Sequence, residues 1–252
     1  MKLCDFHSMI HEWLDFPAIK KDASQNGLQV GDFDSEVNKV AFAVDASLET
    51  FRRAKEAGAD LVFVHHGLFW SQPVRLVGQF YQRIRYLIEN KLALYAVHLP
   101  LDRHPELGNN ICIARRLGLN EIEPFGEYHG MKIGYKGRLP EAMGINEIAE
   151  KMSAKSEKPL ATLPFGPGQI RTIGIVSGDD PRAAYQAIDE GLDLFITGDA
   201  AHIVYHEAME AGLNVIFGGH YATEIWGVQA VAKKLAAETS LESVMLDIPT
   251  GL

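Results

Sequence analysis

The segment Leu61-Val62-Phe63-Val64-His65-His66-Gly67 constrains this chain more than any other. A short apolar run closed by a glycine is the pattern of a buried strand. Here the strand delivers two imidazoles to its C-terminal edge, where open α/β sheets build their sites. Side chains on a regular strand alternate between faces. Adjacent rings therefore converge only if the strand has ended and the chain turns at Gly67; otherwise they serve different partners. Imidazole is the commonest side-chain metal ligand, so the pair reads as half of a metal site.

Strands and helices alternate around this segment. Residues 6–16 are predicted as a helix, and Asn26-Gly27-Leu28-Gln29-Val30-Gly31 as a turn opening into a short strand. Val40–Val44, Leu61–Val64 and Leu92–Val97 read as strands, and Ser47–Ala57, Phe80–Glu89 and Asn110–Leu117 as helices. Ser47 is the expected N-cap of its helix, and Gly58 and Gly118 are helix stops. The order then returns, with strands at Ile173–Val176, Leu192–Thr197 and Leu213–Phe217, a helix at Pro181–Asp189 and a long closing helix at Thr223–Ala237. Ala57-Gly58-Ala59-Asp60-Leu61 matches Glu190-Gly191-Leu192-Asp193-Leu194 at three of five positions, and His98-x3-Asp102 returns as His220-x3-Glu224. This reads as an internal duplication. The expected organisation is a first α/β half over 1–124, a small inserted α/β element over 125–170 and a second half over 171–252. The fold class is α/β with a mixed sheet, the metal site lying in a cleft at the C-terminal ends of strands.

Composition narrows the function. A chain of 252 residues has room for a substantial core, and 47% hydrophobic with 23% charged residues is ordinary for a soluble globular protein. Twenty-four basic against 33 acidic residues give a net charge of −9, with no Lys/Arg-rich block, which disfavours duplex nucleic acid as a partner. Cys4 and Cys112 form neither a disulfide framework nor metal-ligand spacing. Met1–Ile10 contains Asp5 and His7 and no apolar core of signal-peptide length, and no stretch has the length of a membrane span. A cytoplasmic protein without a membrane partner is expected.

The acid and imidazole residues at strand ends are His65, His66, His98, Asp102, Asp199, His220 and Glu224. Imidazole nitrogen and carboxylate oxygen are the ligands of borderline divalent metals. The inventory holds two ions, and a bridging carboxylate would keep them roughly 3.5–4 Å apart. Asp102 and Glu224 leave residual positive charge, which favours hydroxide and an anionic substrate; without metal, the same groups would form a hydrogen-bonded network. Thr223 is the expected N-cap of the closing helix, putting Glu224 in its dipole-stabilised first turn. His202 and His206 share a helix face, but their order differs from the His-Glu-x-x-His motif; they read as residues near the site or a solvated face. His104 and His129 sit in polar loops and read as surface residues, as do His7 and His11 on their helix. Phe69 and Trp70 read first as packing around the site, with aromatic stacking as the alternative. No phosphate loop, dinucleotide fingerprint or nucleophile elbow is present, so the nucleophile is assigned to metal-activated water.

Taken together, His65-His66-Gly67-Leu68-Phe69-Trp70, His98-Leu99-Pro100-Leu101-Asp102 and Gly219-His220-Tyr221-Ala222-Thr223-Glu224 resemble the signatures of the GTP cyclohydrolase 1 type 2 family, in particular its YbgI-like members. Asn26–Gly31 and Thr197-Gly198-Asp199 extend the resemblance over about residues 26–240. It implies a dinuclear site with His65, His66, Asp102, His220 and Glu224 as ligands, Asp102 or Glu224 or both bridging. It also implies a toroidal homohexamer. His98 matches a position near the metals rather than a ligand, and Tyr221 stands where many members have a second histidine that is not carried over as a ligand.

The function expected is metal-dependent hydrolysis of a nucleotide or related heterocycle, such as opening of the guanine ring of GTP by water. His98 or His202 would transfer the proton. The alternatives are a metal-dependent phosphoesterase or amidohydrolase, and a metal-bearing interaction or regulatory protein with little turnover. Zinc, iron, manganese and nickel all suit the ligands. Arg52, Arg53, Arg75 and Arg103 are the candidates for contacting a triphosphate.

Overall fold

The computed structural model describes residues 1–19, 21–153 and 158–252. In chain order it contains α1 (Leu3–Trp13), β1 (Gly27–Val30), β2 (Lys39–Asp45), α2 (Leu48–Glu56), β3 (Leu61–His66), α3 (Gly78–Glu89), β4 (Ala93–Ala96) and α4 (Leu99–Arg103). There follow α5 (Asn109–Leu117), β5 (Asn120–Tyr128), β6 (Met131–Met143), α6 (Ile145–Met152), β7 (Ala161–Pro164) and β8 (Ile170–Ile175). The remainder comprises α7 (Ala183–Asp189), β9 (Leu194–Thr197), α8 (Val204–Ala211), β10 (Asn214–Phe217), α9 (His220–Glu238) and β11 (Glu242–Met245). Two compact units result, residues 1–107 with 227–248 and residues 108–226 with 249–252, each with its own sheet.

In the first unit the sheet order is β1-β4-β3-β2-β11. Strands β2, β3 and β4 are parallel, β11 runs parallel to β2, and β1 is antiparallel to β4. Residues alternate between faces along each strand. Phe42, Phe63 and Tyr95 pack on one face with Phe6 and Ile10 of α1 and Val228, Val231 and Leu235 of α9. Ala43, Val62, Val64 and Leu94 point to the other face, where α2 and α3 contribute Phe51 and Leu87. A sheet covered on both faces explains why its strands read as unbroken apolar runs. Ser47 caps α2 as expected, its hydroxyl accepting from Thr50 N at 3.0 Å.

In the second unit the order is β5-β6-β8-β9-β10-β7. Strands β8, β9 and β10 are parallel, whereas β7 is antiparallel to β10, and β6 to both β8 and β5. Ile173, Ile175, Leu194, Ile196 and Ile216 pack against Ile113 and Leu117 of α5 and Ile148 and Met152 of α6.

The units share a kernel of three consecutive parallel strands with an antiparallel neighbour beside the third: β2-β3-β4-β1 in one and β8-β9-β10-β7 in the other. The matched sequences ending at Leu61 and Leu194 occupy the same helix-to-strand junction in each kernel.

The closing helix departs from expectation. It begins at His220, so Thr223 lies inside it and Glu224 falls beyond its first turn. Thr223 is no N-cap: its buried hydroxyl donates back to Gly219 O (2.9 Å) or His220 O (3.0 Å) and accepts from Gly178 N at 3.1 Å.

Candidate metal centre

The first unit gathers three imidazoles. Strand β3 continues through His66, His65 being buried and His66 half-buried at its C-terminal end; His98 follows β4. Ring centroids of His65 and His66 are 4.6 Å apart, and those of His65 and His98 are 5.1 Å apart. One ring nitrogen of each of the three lies within 4.8 Å of the others. Adjacent histidines converge here although the strand has not ended before them, contrary to the expected turn.

Each ring is anchored through Nδ1. His65 Nδ1 faces Val97 O at 2.9 Å, His66 Nδ1 faces Asp45 Oδ1 at 2.9 Å, and His98 Nδ1 faces Asp22 Oδ1 at 2.9 Å. Carbonyl and carboxylate oxygens only accept, so each Nδ1 carries a proton and donates it. In the neutral ring this leaves the lone pair on Nε2, the arrangement of metal-binding histidines supported by an outer carboxylate or carbonyl. On the other side of His65, Nε2 lies 3.5 Å from Oδ1 of Asp102, whose side chain is 6% exposed.

The second unit repeats the device. His220 opens α9, its Nδ1 3.0 Å from Asp199 Oδ1 and its Nε2 3.1 Å from Glu224 Oε2. The Glu224 carboxylate is only 4% exposed. A Cβ on Gly178 would sit 2.1 Å from Glu224 Oε1, and Gly178 has φ +68°, so both space and backbone conformation require glycine. The sequence offered no reason to single out Gly178, because its partner is distant in the chain.

His65 and His220 thus each have an oxygen acceptor opposite both ring nitrogens. A lone pair cannot face a carboxylate at that distance without a cation between them, either a second proton or a metal ion. Burying an imidazolium–carboxylate pair carries a large desolvation penalty. Imidazole and carboxylate donors anchored from behind fit a borderline divalent ion, so these groups are candidate metal ligands.

The motif Asn26-Gly27-Leu28-Gln29 does more than turn the chain. Asn26 Oδ1 accepts from His98 N at 2.7 Å, and Gln29 Oε1 accepts from Leu68 N (2.7 Å) and Phe69 N (3.2 Å). Gln29 lies against Gly67, where any Cβ would meet its amide at 2.4 Å. Asn26 and Gln29 thereby hold the segment at His98 and the loop that follows the histidine pair of β3. Burial alone would raise the carboxyl pKa of Asp22, but hydrogen bonds from His98, Asn26 and Ser24 outweigh it and hold the group below its usual value.

Other expected positions lie elsewhere. His202 is exposed, and its ring neighbour is His206, at 6.3 Å. His104 is not a solvated surface residue: it is half-buried, burial lowers its pKa, and Nδ1 accepts from Glu106 N and Leu107 N. His7 is likewise partly buried, with Nδ1 2.9 Å from the Tyr95 hydroxyl, whereas His129 is exposed. Trp70 packs edge-on to His98 at 5.1 Å. Arg53 is tied to Glu49 and Asp247 O, and Arg103 donates to Ala18 O.

The fold and its histidine–carboxylate groups place the chain in the Duf34/NIF3 (NGG1p interacting factor 3) family, whose model matches residues 1–250. It is 45% identical over 252 residues to a GTP cyclohydrolase 1 type 2 homolog of Archaeoglobus fulgidus, covering 100% of both chains. A protein of the same name from Deinococcus radiodurans is 42% identical over 231 residues, 92% of this chain and 88% of the other. Among solved structures, protein ybgI superposes with a TM-score of 0.92 at 34% identity, covering 100% of both chains. TTHA1606 from Thermus thermophilus gives 0.89 at 39% identity, with the same coverage. Among the described residues no helix is long and apolar enough to cross a membrane.

Proposed function

We propose that the chain is a dinuclear metal-dependent hydrolase acting on a nucleotide or related heterocycle, with His65, His66, Asp102, His220 and Glu224 as ligands. The observation that carries this reading is the acceptor arrangement at His65 and His220, where a ring nitrogen confronts a buried carboxylate while Nδ1 is already committed. The names of the relatives supply the substrate class. When bound, divalent ions supply Lewis acidity and lower the pKa of water.

The chain's own residues do the rest. Val97 O, Asp45 and Asp199 orient the ligand rings. Proton transfer falls to His98, whose ring nitrogen lies within 4.8 Å of those of His65 and His66. Exposed His202 is the weaker candidate. Trp70, packed beside His98, is the aromatic residue at the site to which a planar base could stack.

Metal analysis of the purified protein, followed by turnover assays with GTP, other nucleotides and model phosphoesters, tests the reading. Two equivalents of metal per chain are expected in the wild type, with strong loss in His65→Ala and Glu224→Ala and none in His129→Ala. Equal metal content in all three variants would reject the ligand set. Full occupancy with no turnover of any substrate would instead indicate a metal-bearing binding protein.

A further inference from the structure

Asp22 is built into the first unit with unusual completeness. Its side chain is 5% exposed, and donors converge on both oxygens: Oδ1 receives His98 Nδ1 and Ser24 N, each at 2.9 Å, and Oδ2 receives Asn26 Nδ2 (2.8 Å) and Leu99 N (3.0 Å). Asn26 turns its own Oδ1 onto His98 N at 2.7 Å. His98 is therefore held at its ring and at its backbone by one Asp22–Asn26 pair, with Trp70 packed on the ring. A capping function would require only the backbone N–H groups of residues 98 and 99. The additional ring contact is the part that α4 does not need.

We infer that Asp22 is a positioning residue that fixes His98 as its Nδ1–H tautomer, making Nε2 the nitrogen that accepts and returns a proton in the hydrolytic step. This rests on the hydrolase reading above. In the step, Nε2 takes a proton from the attacking water as the oxygen–carbon bond forms. The same nitrogen then gives that proton to the departing atom as its bond to carbon breaks. The proton count is conserved and the Asp22 carboxylate stays ionised throughout. A carboxylate behind an imidazole orients the ring and stabilises the imidazolium without taking the proton itself.

Neutron diffraction from crystals of the deuterated, zinc-loaded full chain tests this directly. The expected result is deuterium on His98 Nδ1, pointing at Asp22, with Nε2 not bound to zinc. Deuterium on Nε2 alone, or zinc on Nε2, would overturn the assignment without any variant being made. With GTP as the assayed substrate, Asp22→Asn should lower kcat by about 10²-fold or more while KM and bound metal stay unchanged. A loss of metal in that variant would show a structural role and reject the inference. Absence of GTP turnover in the wild type counts against the hydrolase reading, whereas the deuterium position still decides the tautomer.

Discussion

At the scale of single residues, the sequence exposed the residues of the candidate site and concealed their supports. His65, His66, His98 and His220 stand out because each follows an apolar run, and Asp102 and Glu224 because each lies four residues after one of those histidines. Asp22, Asp45 and Gly178 do not, because what makes them matter is a partner 21 to 76 residues away. The Gly178 turn contains another residue of chemical interest, Asp180, whose carboxyl is pushed up to about 6, first by burial and then by neighbouring Asp179. A raised carboxyl pKa means that the fold prefers the neutral acid. Its stabilising contribution is complete below the unfolded value near 3.8 and disappears as pH rises through 6. Asp180→Asn is therefore expected to melt above the wild type at pH 8, with the gap closing toward pH 5. Identical pH dependence of the two melting curves would contradict this.

At the scale of elements, strands were the most legible, since burial on both faces leaves an unbroken apolar signal. β3 nevertheless runs through both histidines, because polar side chains at a sheet's C-terminal edge can retain backbone pairing: His66 still opposes Asp45 in the ladder. α9 starts earlier than its apolar pattern, at His220, whose polarity disguised it as loop. β11 is not legible in the sequence, because Glu242-Ser243-Val244-Met245 is a short, half-exposed edge strand with only two adjacent apolar residues. The duplication was visible at one junction and one spacing; the shared order of parallel strands shows how far it extends. Gln29 illustrates the dependence of one element on another. Gln29→Ala would leave the N–H groups of Leu68 and Phe69 without their acceptor, at a cost of about 1–3 kcal/mol. A lowered melting temperature is expected, together with faster amide exchange at residues 68 and 69; unchanged exchange there would show that the clamp is dispensable.

At the scale of the whole molecule, the resemblance to the family predicts a homohexamer, and we carry that forward as a proposal about assembly. Light scattering should give a hexameric mass, and a species of 27.9 kDa would reject it.

The pairing of β11 with β2 has a consequence for how the protein is made. Residues 242–245 lie beside residues 39–42, so the sheet carrying the histidine pair lacks an edge strand until residue 245 has left the ribosome, some 200 residues after β2. The second sheet draws its strands from the continuous stretch between Asn120 and Phe217 and has no such wait. Domains generally fold as units during synthesis. The later-translated sheet is thus free to complete itself first, while β2, the neighbour of the histidine-bearing strand, keeps an unpaired edge until β11 arrives.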